Sequence, residues 1–143
     1  MTPALFVCGF AALLGLAIGS FLNVVAHRVP AGIPLTRESR CPSCDHAIAW
    51  WRNVPVLGWL MLGGRCASCK APISARYPLV EALSGLAFTG VALLWWSRLR
   101  TTGFPTATEW VVLSAACCVV ALVITLSLMA FDAGSRSKQE RAD

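Results

Sequence analysis

The chain has 143 residues, 57% of them hydrophobic and only 13% charged, with 12 Lys and Arg against 7 Asp and Glu for a net charge of +5. A soluble domain carries about twice that charged fraction, and a mean hydropathy of +0.66 excludes an ordinary water-soluble enzyme. The basic residues are spread along the chain and gather on no one predicted face, so nucleic acid is not an expected partner.

The first apolar stretch runs from about Ala4 to Ala26, long enough to cross a bilayer, which takes roughly 20 residues. No Lys or Arg precedes Arg28, and the stretch is too long for the core of a signal peptide, so it reads as a retained helix. Cys8 follows bulky Phe6 and Val7 and does not read as a lipidation site. Gly15, Gly19, Asn23 and His27 recur every four residues and form one small-to-polar stripe. The Gly15–Gly19 pair is a GxxxG motif that permits close helix contact.

Residues 28–78 are polar and rich in Pro, Gly and Arg. Two CxxC pairs lie there, Cys41-Pro-Ser-Cys44 and Cys66-Ala-Ser-Cys69. This is ligand spacing for a four-thiolate zinc site. Disulfides and a rubredoxin-like iron site are the weaker readings. A domain of about 50 residues has too small a core to be stable alone, and zinc would supply the missing cross-link. Between the pairs, Trp50, Trp51 and Trp59 stand among aliphatics. They predict either a surface at the membrane interface or against the helices, or a small aromatic core around the metal.

A second apolar stretch runs from about Leu79 to Trp96 and a third from about Trp110 to Phe131. Glu81 falls one turn inside the second, where a carboxylate is costly and needs a partner. Asn23, His27, Arg28 and Arg76 lie at the same depth, which predicts a polar cluster at one mouth of the bundle. The alternative is helix-packing glue with a snorkelling acid. Cys117 and Cys118 read as small packing residues.

Seven basic residues lie between the first two stretches (Arg28, Arg37, Arg40, Arg52, Arg65, Lys70 and Arg76), two between the second and third, and three in the tail. The positive-inside rule then places the 28–78 loop and the tail in the cytoplasm and the N-terminus outside. Cytoplasmic thiols stay reduced, which favours metal over disulfides. The expected architecture is an all-α membrane protein. Its transmembrane helices are one over 1–27 and two within 79–131, with a small zinc-knuckle insert over 28–78. Residues 132–143 read as a polar, disordered end.

Several runs together resemble the N-terminal part of the bacterial type IV prepilin peptidases, the A24 aspartic peptidase family. They are Gly19-Ser20-Phe21-Leu22-Asn23-Val24-Val25 with His27-Arg28-Val29-Pro30, then Ser39-Arg40-Cys41-Pro42-Ser43-Cys44. Asn53-Val54-Pro55-Val56-Leu57, Gly64-Arg65-Cys66-Ala67-Ser68-Cys69-Lys70 and Pro72-Ile73-Ser74-Ala75-Arg76-Tyr77-Pro78-Leu79-Val80-Glu81 follow in the family's order. The resemblance implies a multi-pass protein of the bacterial inner membrane in type IV pilus and type II secretion biogenesis. Such enzymes remove the leader from prepilin or pseudopilin precursors and methylate the new N-terminal amine with S-adenosylmethionine. It also implies that Cys41, Cys44, Cys66 and Cys69 are zinc ligands and associates this region with the methyl-transfer step. No glycine-rich nucleotide loop of the usual methyltransferase kind is present.

Family members are longer, with more helices, and their peptidase pair is one Asp after a membrane span and another in a Gly-x-Gly-Asp motif. Asp132 falls about where the first belongs, but no Gly-x-Gly-Asp occurs in this sequence, so the dyad is incomplete and autonomous proteolysis is not expected. Three roles remain open: a peptidase subunit that needs a second polypeptide, an N-methyltransferase half, or a non-catalytic membrane zinc module. A homo-oligomer, with GxxxG at one contact, is a further expectation.

Overall fold

The structure, a computed structural model, describes residues 3–102 and 106–139, with the side chains of 102 and 132–139 outside the description. Three long helices dominate: α1 (Pro3–Arg28), α3 (Arg76–Thr102) and α4 (Ala107–Gln139). A short α2 (Leu57–Met61) and a 3-10 turn at Trp50–Asn53 lie in the insert between α1 and α3. All three long helices are long and apolar enough to span a membrane. α4 continues past Phe131, so residues 132–139, read from the sequence as a polar end, extend a helix.

α1 and α3 form the closest pair, and the reason is the GxxxG motif. A Cβ at Gly15 would lie 2.6 Å from the Ser84 carbonyl oxygen and 2.9 Å from Gly85 Cα. One at Gly19 would lie 2.7 Å from Ser84 Oγ and 2.9 Å from Glu81 Cα. Ser84 is fully buried, and its hydroxyl donates to the Val80 carbonyl 2.8 Å away, so its own hydroxyl hydrogen is satisfied at the contact. The motif anticipated at a contact between chains is therefore occupied by α3 of the same chain. Leu22, Ala26, Val80 and Leu128 close the core where α1, α3 and α4 meet. Large apolar side chains elsewhere on the helices, Phe6, Phe10, Leu86, Leu94 and Leu122 among them, are exposed. Such an exterior is what lipid solvates.

The insert is tied to this frame at two points and braced within itself at a third. The Arg28 guanidinium, at the end of α1, donates to the carbonyls of Leu35 (2.8 Å), Pro34 and Arg37, organising the approach to the first CxxC. The Val56 amide, at the start of α2, donates to Glu81 Oε2 of α3 at 2.7 Å. Trp59 on α2 donates its indole N–H to the Ile73 carbonyl at 3.0 Å, beside the second CxxC. Gly64, with φ +67°, lies under the Trp59 ring where a Cβ would be only 2.7 Å from Cζ2.

Candidate metal centre and the adjoining cleft

Each CxxC forms a one-turn knuckle, and the two are built alike. The amide of Cys41 donates to the His46 carbonyl (3.0 Å), that of Asp45 to Cys41 (2.9 Å), and that of Ile48 to Ser39 (2.8 Å). Shifted by 25 positions (41 to 66), the same bonds recur: Cys66 to Ala71 (2.8 Å), Lys70 to Cys66 (3.1 Å) and Ile73 to Gly64 (2.7 Å). The bridges Arg40–Ala47 and Arg65–Pro72 obey the same shift. So do the two left-handed residues that close the turns, Asp45 (φ 53°) and Lys70 (φ 60°). The repeat is present in the sequence as Arg-Cys-x-Ser-Cys with an isoleucine four residues on, at Ile48 and Ile73, a signal the spacing of the cysteines alone does not exploit.

The two knuckles face each other. Cys41 Sγ lies 3.8 Å from Cys69 Sγ, and Cys44 Sγ 4.0 Å from Cys66 Sγ. All four sulfurs fall within 4.8 Å of one another, so the set could hold a metal ion. A tetrahedral ion with metal–sulfur bonds of about 2.3 Å places its sulfurs about 3.8 Å apart, and the cross-knuckle distances match. A disulfide needs sulfurs about 2.0 Å apart, and the four thiols are free. The amides of Cys69 and Ser68 point at Cys66 and, against partial burial, hold its thiol down to about 6. The Ser43 and Cys44 amides lower Cys41 in the same way. The Ala71 amide pulls Cys69 down, but the Cys44 thiol, burial and the other two sulfurs outweigh it and push Cys69 up to about 11. Held so high, the Cys69 thiol does not become a thiolate near neutrality without a cation to share.

A cleft of about 570 Å³ separates the knuckles from the mouth of the helices. Asn23, His27 and Arg28 of α1, Tyr77 and Glu81 of α3, Arg52, Trp59, Cys41 and Cys66 all contribute to its walls. Asn23 is 4% exposed. Its amide nitrogen donates to the Tyr77 carbonyl at 3.2 Å, while its Oδ1 is buried with no donor among the described residues. Glu81 is 8% exposed. His27 is exposed on the cleft wall. Four of the five residues expected at the mouth thus share one cleft, although Arg28 turns its guanidinium to the loop carbonyls. Arg76 stands apart, its guanidinium 5.4 Å from the centre of the Phe131 ring on α4, a cation–π distance. Asp132 falls within α4, but its side chain lies outside the described residues.

Of the three tryptophans between the knuckles, Trp59 is packed and Trp50 and Trp51 are exposed. The two readings of that stretch therefore divide it: a core residue at 59 and a bare apolar surface around 50 and 51. The partner of Glu81 escapes sequence reasoning altogether. Val56 has φ 62° and ψ −51°, and its neighbours close a γ-turn through Leu57 N–H to the Pro55 carbonyl at 2.6 Å. This conformation is rare and strained, more so for a β-branched residue.

The model of the bacterial peptidase A24 N-terminal domain matches residues 13–95. A prepilin leader peptidase/N-methyltransferase of Myxococcus xanthus is 56% identical over 80 residues, covering 55% of this chain and 24% of the relative. Proteins of the same name from Stutzerimonas stutzeri and Neisseria gonorrhoeae are 44% and 41% identical. They cover 53% and 68% of this chain and 35% and 43% of their own lengths. The chain thus spans between a quarter and under half the length of these relatives. No solved structure matches it. Its match spans both CxxC pairs and the contact between α1 and α3, and the chain belongs to the bacterial peptidase A24 N-terminal domain family.

Proposed function

We propose that this chain is the zinc-bearing, amine-binding part of a prepilin leader peptidase/N-methyltransferase in the bacterial inner membrane, its insert facing the cytoplasm. The orientation is supported by the seven basic residues from Arg28 to Arg76 against two, Arg98 and Arg100, between α3 and α4. The metal is zinc held by Cys41, Cys44, Cys66 and Cys69, and its role is structural: four thiolates leave no open coordination position for chemistry.

The observation that carries the functional reading is the cleft wall at Asn23 and Glu81. Asn23 Oδ1 is a buried acceptor with no donor among the described residues, and the nearly buried carboxylate of Glu81 lines the same cleft. Two such acceptors suit an N–H donor, and a pilin's new N-terminal amine is one. Glu81 would also accept the proton that the amine must lose before it can be methylated. S-adenosylmethionine would supply the methyl group. Pilin-like precursors are the substrates.

Methyl transfer to a cleaved pilin substrate, measured with the membrane-reconstituted chain and the partner polypeptide that completes it, tests this. Asn23→Leu should lower transfer about five- to thirtyfold, the scale of one lost buried hydrogen bond of about 1–2 kcal/mol, with zinc content unchanged. Undiminished transfer would sink the assignment. For the peptidase step, we propose that Asp132 supplies one carboxylate and a second polypeptide the other. Asp132→Asn should then abolish leader cleavage by the pair while leaving methylation of pre-cleaved pilin intact.

A further inference from the structure

The stretch Trp50–Met61 leaves an apolar surface without a protein partner among the described residues. Trp50 is 79% exposed and Met61 73%, and Trp51, Leu57 and Leu60 all exceed half exposure. Only one charged residue, Arg52, interrupts the stretch, and it is half-buried. In water, five large apolar side chains so displayed would drive association.

The depth of this stretch is set by its contacts with the two spans. Val56 is hydrogen-bonded to Glu81, five residues inside the α3 end marked by Arg76, which at 1.5 Å per residue is about 7–8 Å. Asn53 and Pro55 share a small hollow with Ala17, Ser20, Phe21 and Val24 of α1. Ser20 is eight residues from the α1 end marked by Arg28, or about 12 Å. The headgroup layer is only about 5–8 Å thick on each side of the hydrocarbon. The 3-10 turn and α2 therefore sit beside the spans at the boundary between headgroups and acyl chains, continuous with the lipid-facing exteriors of α1 and α3.

We propose that Trp50–Met61 is an interfacial membrane segment, with Trp50, Trp51, Leu57, Leu60 and Met61 inserted into lipid. The tryptophans have the amphipathic rings that favour this layer, and Arg52 can snorkel to the phosphates. Lipid then replaces the protein core that a 50-residue insert lacks, and the metal knuckles are held against the bilayer and not suspended above it. The inference rests on the spans and on the contacts of Asn53, Pro55 and Val56 with them, and does not depend on whether the cleft binds an amine.

The test uses the full chain in bilayers of phosphatidylethanolamine and phosphatidylglycerol, with the photo-crosslinker p-benzoylphenylalanine placed at Met61. Illumination should give lipid adducts at a yield within about twofold of the same probe at Leu86, 69% exposed on α3; Lys70, exposed on the second knuckle, should give about tenfold less. A yield at Met61 equal to that at Lys70, or an adduct to a protein in place of lipid, would overturn the proposal. A second measurement avoids a bulky probe. Lipids brominated near the headgroup end of the acyl chains should quench the native chain more than the Trp50→Phe, Trp51→Phe variant, which lacks two of the six tryptophans. Equal quenching of the two would count against insertion.

Discussion

Replacing Glu81 tests the link between insert and helix pair. Its Oε2 accepts from the Val56 amide at 2.7 Å, a length typical of charge-assisted bonds, and such bonds contribute about 1.5–3 kcal/mol. Glu81→Ala removes the acceptor and leaves the Val56 N–H of a strained γ-turn unpaired. Glu81→Gln keeps an acceptor oxygen of nearly the same reach, and the neutral bond it forms is worth about 0.5–1.5 kcal/mol. The expected order of stability is parent, then Gln lower by about 1 kcal/mol, then Ala lower by about 1.5–3 kcal/mol. At about 2–4 °C per kcal/mol for a chain of this size, the Ala variant should melt about 3–12 °C below the parent in mild detergent, with Gln between. Val56→Gly adds the complementary arm. Glycine accepts φ 62° without steric cost but gains entropy when unfolded, so the two effects offset and Tm should move by less than about 2 °C. The assay is thermal unfolding followed by tryptophan fluorescence, to which Trp59 in the middle of α2 contributes. If Glu81→Ala melts within about 1 °C of the parent, or if Gln costs as much as Ala, the bond does not hold the insert and the depth assigned to α2 fails with it.

Metal removal should separate the two halves of the structure. A zinc chelator, or Cys66→Ser, should release the metal and unfold residues 39–73 while the far-ultraviolet helical signal of α1, α3 and α4 falls by less than about a tenth, because the α1–α3 contact uses no residue of the knuckles. Zinc holds the four sulfurs as thiolates, so protons compete with it and the insert should lose its metal as pH falls. A pH series of zinc content and of insert structure should therefore fall together on the acid side, and an insert that stays folded after its zinc has left would contradict the assignment. Gly15→Ala would place a methyl 2.6 Å from the Ser84 carbonyl oxygen, whereas the same change at Gly9 meets nothing within 4 Å. The first should destabilise by about 1–3 kcal/mol and the second should be neutral or stabilising by up to about 1 kcal/mol, read from the same melts.

The helices were legible because apolar runs of this length have one outcome in a membrane, and each observed span encloses its predicted range. The knuckles were legible because CxxC turns are local. What was not legible depended on long-range geometry. Nothing local marks Val56 as left-handed; the conformation persists because Glu81, 25 positions away, holds its amide. Arg28 reads as a charge at a helix end, yet its fork is spent on the carbonyls that follow it. Arg76 was grouped with the mouth residues by depth alone, and depth does not say which side of a helix a residue faces. The GxxxG pair announced a close contact but could not say whether the partner was another chain or, as found, α3.

The alike knuckles leave the metal centre with two unlike sides. Each contributes one shielded sulfur, Cys41 or Cys66, and one exposed sulfur, Cys44 or Cys69. The exposed pair belongs to different knuckles, and so does the shielded pair. An oxidant arriving from the water phase would meet Cys44 or Cys69 first, and capturing either would take one ligand from one turn and start the loss of the metal. Damage taken no further than a sulfenic acid or a disulfide would leave a chain that a reductant and fresh zinc could refold without resynthesis.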